Sequence, residues 1–304
     1  MRHLIIGASG QVGEALTKLL FDKKQEIIGT FFKTPLDRIN KLGKIFILDI
    51  TKQNDVERLI ADINPDVIYI PAAITNVDYC EQNPKETYAV NVEGITNIIN
   101  SNKNAKIEPL IVFFSSDYIF DGTKGSLYNE NDIPNPICEY GKQKLSAEHY
   151  IATKSKHFII IRTCGIFGPE TQGKNFVLRL IKNLSEEKEV TIPNDEYGTP
   201  TYSPDLVDAV FRVINNIGNK FKTNVAHVIN IVGSKRISRY DFAIEVAKIF
   251  NYDVNLIKPI NSYDIVRAAK RPLNSGLTVD KIEAILDRRM MYPDDGLKAL
   301  QKII

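Results

Sequence analysis

The chain has 304 residues, 43% hydrophobic and 25% charged, a balance that fits a folded globular protein and excludes a disordered or fibrous one. A formal net charge of +2 is too small for the one-sided basic field that nucleic acid or an anionic membrane requires, so neither partner is expected. Three cysteines, Cys80, Cys138 and Cys164, give neither the even count of a disulfide framework nor the spacing of a zinc site; no metal is expected, and reduced thiols point to the cytoplasm.

Short β-branched runs predict strands at 3–6, 26–30, 45–48, 67–70, 110–114 and 158–161. Helical spacing falls at 12–23, 53–63, 84–100, 141–152, 176–184, 204–214 and 239–250. This alternation is a βαβ signal, and strands apolar at nearly every position suit a parallel sheet buried on both faces. The fold class is therefore α/β, a doubly wound parallel sheet of the Rossmann kind with a smaller C-terminal substrate subdomain. After Thr163 the alternation weakens and Gly/Pro loops multiply. Residues 1–165, joined by about 201–235, are expected to form the dinucleotide-binding domain, and 166–200 with 236–304 the substrate-binding subdomain. No stretch approaches the ~20 apolar residues that span a bilayer.

The first predicted strand runs into Gly7-Ala8-Ser9-Gly10-Gln11-Val12-Gly13, a G-x-x-G-x-x-G loop at a strand-to-helix junction. Gly7, Gly10, Gln11, Val12 and Gly13 would bring backbone N–H groups against a pyrophosphate at the helix N-terminus. NAD sites usually place an acid at the end of strand two, where this chain reads Thr30-Phe31-Phe32-Lys33. With no carboxylate to repel a 2′-phosphate and Lys33 available to pair with one, NADP(H) is the expected cofactor, with NAD(H) as the alternative if Lys33 is only a solvated surface lysine.

Tyr140-Gly141-Lys142-Gln143-Lys144 sets a phenol and an ammonium four residues apart, on one face of a helix. A cation held near a phenol stabilises the phenolate and suits it to proton transfer, which gives Lys144 a mechanistic task. Ser116, in Phe113-Phe114-Ser115-Ser116-Asp117-Tyr118, follows the fifth strand, at the end of the sheet where open α/β folds bind ligands, and its hydroxyl can hold a substrate carbonyl.

Together these segments resemble the extended short-chain dehydrogenases that act on nucleotide sugars, and especially the dTDP-4-dehydrorhamnose reductase family. The likeness continues through Ala72-Ala73-Ile74-Thr75-Asn76-Val77-Asp78, the run from Ser115 to Gly122, Asn194-Asp195-Glu196-Tyr197-Gly198-Thr199-Pro200-Thr201-Tyr202 and Arg271-Pro272-Leu273-Asn274-Ser275. It implies that Asp49, Ile50, Ala72 and Ala73 adjoin the cofactor beside Tyr140 and Lys144. It also implies that Thr75, Val77, Ser116, Asp117, Tyr118 and Asn175 line a sugar site, and that Arg271 meets a diphosphate or serves as a domain-packing ion pair. Serine replaces the family's usual threonine at 116. The family's Arg-Thr-Ser-Trp reads here Arg162-Thr163-Cys164-Gly165, in a chain without tryptophan, so an aromatic wall beside the sugar is absent.

The resemblance implies NADPH-dependent reduction of the 4-keto group of a nucleotide-linked 6-deoxy sugar, dTDP-4-dehydro-L-rhamnose in the first place, by Ser116, Tyr140 and Lys144; a homodimer would be usual for the family. Part of the same pattern also resembles the regulatory beta subunit of methionine adenosyltransferase, which binds NADP and serves as a partner. A third reading, another nucleotide-sugar reductase or an epimerase, is disfavoured for the epimerase by the missing strand-two acid.

Overall fold

A computed structural model describes residues 1–34, 41–218 and 225–304. Seven parallel strands, β1 (Arg2–Ile6), β2 (Glu26–Phe31), β3 (Lys44–Ile47), β4 (Val67–Ile70), β5 (Leu110–Phe114), β6 (Phe158–Arg162) and β7 (Ala226–Asn230), form one sheet in the order β7-β6-β5-β4-β1-β2-β3. The last of these was not among the predicted strands: Ala226, His227 and Val228 keep some exposure, which blurs the apolar run. Paired with β6 from Ala226↔Phe158 to Asn230↔Arg162, it carries the 201–235 segment onto the large sheet. Residues 219–224 of that segment lie outside the described residues.

Side chains of successive strand residues point to opposite faces, so each inner strand feeds two cores. On one face Ile5, Tyr69, Val112 and Ile161 pack with Leu16 and Leu20 of the helix Gln11–Asp22 and Leu206 and Val210 of the helix Ser203–Gly218. On the other, Leu4, Ile6, Ile68, Ile111 and Ile160 meet Val56 and Ile60 of the helix Gln53–Ile63, Ile95 and Ile98 of Gly94–Asn104, and Ala147 and Ile151 of Glu139–Lys154.

The helix expected over 84–100 is broken. Pro84–Tyr88 and Gly94–Asn104 flank a π-turn at Ala89–Glu93. The wider turn carries buried Asn91, whose side chain accepts from Ile74 N at 2.8 Å and donates to Gln143 Oε1 at 2.8 Å. It thereby ties the loop after β4 to the helix Glu139–Lys154, and such π-turns often sit beside functional sites.

A smaller core gathers Phe167, Val177, Leu180, Phe242, Val246, Leu297 and Leu300 around the paired strands Val190–Pro193 and Ile257–Ile260. The helix Asp280–Leu286, from the stretch expected in the smaller unit, instead packs Ile282 into the core of the large sheet. No described helix is long and apolar enough to cross a membrane.

Candidate active site

From β1 the chain winds through β2 to β3 on one side, then returns through β4 to β5, β6 and β7 on the other. The order reverses between β1 and β4, and the loops that leave these strands diverge at their C-terminal ends, where such sheets bind ligands. A cavity of about 800 Å³ opens there, within the size range of a ligand site.

Gly7, Gly10, Gln11 and Val12 line one end. Gly7 has φ +94°, and a Cβ on it would lie 2.9 Å from Ala72 Cα; a Cβ on Gly13 would lie 2.2 Å from Gly7 O. Only glycine lets the turn close under the helix and the loop after β4 press against it. Gly7 and Ala8 donate to Thr30 O at 3.2 and 2.7 Å, but the helix Gln11–Asp22 has no side-chain cap at Gly10. Its first N–H groups are left facing the cavity, a setting that favours an anion.

Three buried polar atoms on the lining, Gln11 Nε2, Ser115 Oγ and Thr163 Oγ1, have no hydrogen-bond partner among the described residues. Buried polar atoms are normally paired, so their placement fits a polar ligand. With the glycine cradle and the uncapped helix, this lining fits a dinucleotide.

Lys33 lies exposed on the rim, its Nζ 5.7 Å from the centre of the Phe32 ring. Asp49 Oδ1 accepts from Thr51 N at 3.0 Å and Thr51 Oγ1 at 2.7 Å, which fixes the carboxylate and leaves Oδ2 free of those bonds. Ile50, Ala72 and Ala73 complete this wall.

Tyr140 and Lys144 enter from the first turns of the helix Glu139–Lys154 and are both buried. Two buried attachments hold that helix: Gln143 to Asn91, and Glu148 to Arg162 at 2.9 Å. Lys144 Nζ donates to Phe114 O at 2.8 Å and lies 4.7 Å from the Phe113 ring centre. Burial pulls its pKa down to about 8. Burial pushes the Tyr140 phenol well above its ordinary value, Asp117 adds to the effect, and a hydrogen bond with Ser116 opposes it. The depressed phenol pKa expected from the spacing is thus reversed here, because desolvation disfavours the phenolate more than its surroundings support it.

Ser116 Oγ donates to Asp117 Oδ1 at 3.0 Å and accepts from Tyr118 N at 3.2 Å. Asp117 is buried, which raises its pKa, while Ser275, Cys164 and Ser116 donate to it and oppose the rise. The Tyr118 ring meets Tyr140 edge-on at 6.0 Å.

The structure brings Ser116, Asp117, Tyr118, Thr75 and Asn175 to this cavity. Asn175 is largely committed to the fold: its side chain caps the helix Phe176–Ser185 at Leu178 N and donates to Gly168 O at 3.0 Å. Three expected residues stand aside from the cavity lining: Gly13, packed beneath the turn against Gly7 and Ala8, Val77 and Arg271. Val77 packs in a cluster with Cys80, Cys138 and Tyr140, and Arg271 pairs with Asp78 at 2.7 Å and donates to Ala269 O.

Sequence reasoning missed the loop before Asn175. Gln172 Nε2 donates to Ser9 O at 2.6 Å, and Thr171 donates twice to Glu14, so this loop reaches the glycine turn and places Glu170, Gln172 and Lys174 on the cavity wall. Nothing in local spacing signals a contact across more than 150 residues.

A model of the RmlD substrate binding domain family matches residues 1–302. The chain is 34% identical over 310 residues to a dTDP-4-dehydrorhamnose reductase of Aggregatibacter actinomycetemcomitans, covering 99% of this chain and 98% of that one. Its fold is similar to that of a Bacillus anthracis dTDP-4-dehydrorhamnose reductase solved in complex with NADP, with TM-score 0.83, 27% identity and coverage of 100% and 99%. It is also 26% identical over 286 residues to methionine adenosyltransferase 2 subunit beta of Bos taurus, covering 93% of this chain and 82% of that one.

Proposed function

Because the chain belongs to the RmlD substrate binding domain family, we propose that it is an NADPH-dependent reductase of a nucleotide-linked 4-keto-6-deoxy sugar, with dTDP-4-dehydro-L-rhamnose as substrate and dTDP-L-rhamnose as product. The observation that carries this reading is the convergence of Ser116, Tyr140 and Lys144 on the cavity that the glycine loop also lines.

Gly7 to Gly13 would hold the cofactor's pyrophosphate, Asp49 and Ile50 its adenine end, Lys33 the 2′-phosphate and Lys144 the nicotinamide ribose. When bound, NADPH supplies the hydride that the reduction needs. Tyr140 gives its proton to the oxygen at C4 of the sugar, turning ketone to alcohol. Its raised pKa keeps the phenol protonated at neutral pH, so the donor is loaded before the oxygen acquires charge. Ser116 steadies the same oxygen by a hydrogen bond. Lys144, buried and still mainly cationic at pH 7, offsets the charge left on the phenolate.

The test is loss of NADPH absorbance with dTDP-4-dehydro-L-rhamnose generated in situ. Wild-type turnover that disappears in Tyr140→Phe, with NADPH affinity nearly unchanged, is expected; a variant that keeps most of the activity would remove Tyr140 as the proton donor. The likeness to the methionine adenosyltransferase subunit favours a second reading, an NADP-binding partner without turnover. Tight association with a methionine adenosyltransferase, alongside silence toward every keto sugar tried, would favour it.

A further inference from the structure

The helix Glu139–Lys154 carries Tyr140 and Lys144 in its first turns and Glu148 one turn further along the same face. Glu148 and Arg162 are both buried, 3% and 5% exposed, and meet at two points: Arg162 Nε donates to Glu148 Oε1 at 3.2 Å, and Nη2 to Oε2 at 2.9 Å. The guanidinium is further held by the Glu130 carbonyl, to which Nη1 donates at 3.4 Å, and by the Phe120 ring, whose centre is 5.5 Å from its central carbon.

Arg162 ends β6, beside the loop that holds Ser116. Ser115 N donates to Ile161 O at 2.7 Å and Asp117 N to Thr163 O at 3.0 Å, so the backbone on either side of Arg162 fixes the backbone on either side of Ser116. The pair therefore joins the strand end behind Ser116 to the helix that carries Tyr140 and Lys144.

Burying two charges is often no better for stability than an apolar pair of similar volume, so stability alone explains this pair poorly. Lys144 supplies another reason. Its Nζ is buried, bonds only the neutral Phe114 carbonyl among the described residues, and faces the Phe113 ring. Of the titratable groups around it, Tyr140 on its own helix and Cys80 on the helix Val77–Gln82 are kept protonated by burial, while Asp117, on the loop after β5, acts on Tyr140. Glu148 is the negative charge that remains to Lys144, and its attraction opposes the cost of burying the ammonium.

We propose that Glu148 is a positioning residue for the reduction: held by Arg162, its carboxylate keeps the Lys144 ammonium charged beside Tyr140. This rests on the reductase reading of the site.

Two readouts test it: the pH dependence of kcat/KM for NADPH oxidation with dTDP-4-dehydro-L-rhamnose, and the titration of the Lys144 Cε signal in isotope-labelled protein, assigned by its loss in Lys144→Met. Glu148→Gln keeps the shape and removes the charge. The signal and the alkaline limb should both move to lower pH, by about tenfold in proton concentration, leaving the variant about fivefold slower than wild type near pH 8 and within about twofold of it near pH 6. Should the unpaired Arg162 prevent folding, Glu148→Leu combined with Arg162→Met leaves neither charge of the pair buried alone. It should move both readouts the same way by less, since Glu148 is the member of the pair that acts on Lys144. A folded variant whose signal and limb stay at the wild-type positions overturns the assignment and leaves the pair a structural clamp. A displaced signal in a protein whose wild type shows no turnover overturns the reductase reading and keeps the link between Glu148 and Lys144.

Discussion

Lys144 and Tyr140 share one helix face, yet the lysine Nζ lies 5.9 Å from the centre of the tyrosine ring and donates a hydrogen bond to the Phe114 carbonyl instead. Burial moves the two groups in opposite directions, the ammonium down to about 8 and the phenol up. The alkaline limb of the pH profile should therefore belong to the lysine. As pH rises through about 8, kcat/KM should fall, because Lys144 loses the charge that offsets a phenolate while Tyr140 keeps its proton. Lys144→Met should be about a hundredfold slower and lack that limb. A wild-type profile flat to pH 9 would reject this division of roles.

The contact between Gly13 and Gly7 leaves no room for a methyl group: a Cβ would sit 2.2 Å from the Gly7 oxygen. Gly13→Ala should cost about 1–3 kcal/mol through overpacking and should weaken NADPH by displacing the turn. Urea unfolding and cofactor titration check both. A variant as stable as wild type with unaltered affinity would show that the turn relaxes freely.

On the cavity rim, Lys33 is the cation available to a 2′-phosphate. Lys33→Ala should weaken NADPH by about tenfold and leave NADH unchanged, since an exposed charged contact contributes on the order of 1 kcal/mol. Equal losses for both cofactors would show that Lys33 does not read the phosphate.

Under β1, His3 is fully buried between Tyr69 Oη at 3.1 Å and Gln25 Oε1 at 3.3 Å, and burial lowers its pKa to about 4. The folded state binds fewer protons than the unfolded chain between pH 6.5 and about 4. Stability from this group is thus whole above pH 6.5 and is lost as pH falls through that window, by at most about 3 kcal/mol. Melting curves of wild type and His3→Gln should converge toward pH 4. Parallel curves would assign the acid sensitivity to other groups.

The sheet was legible because its signals are local. β-branched runs and helix spacing placed six of the seven strands, and β7 escaped because its first three residues remain partly exposed at the sheet edge. The π-turn at Ala89–Glu93 escaped for a different reason: it is held by Asn91 bonding to Ile74 and Gln143, partners 17 and 52 residues away. Arg271 could be read from sequence as an anion contact or an ion pair; the fold pairs it with Asp78.

By itself, the sequence determined the order of strands and helices, the glycine turn and the shared face of Tyr140 and Lys144, because each depends on spacing within a few residues. Tertiary structure alone decided what those groups meet. Packing turned Lys144 to the Phe114 carbonyl, laid Gln172 across Ser9 and paired Arg271 with Asp78. Such relations depend on desolvation and on neighbours far apart in the chain, and neither leaves a period in the sequence.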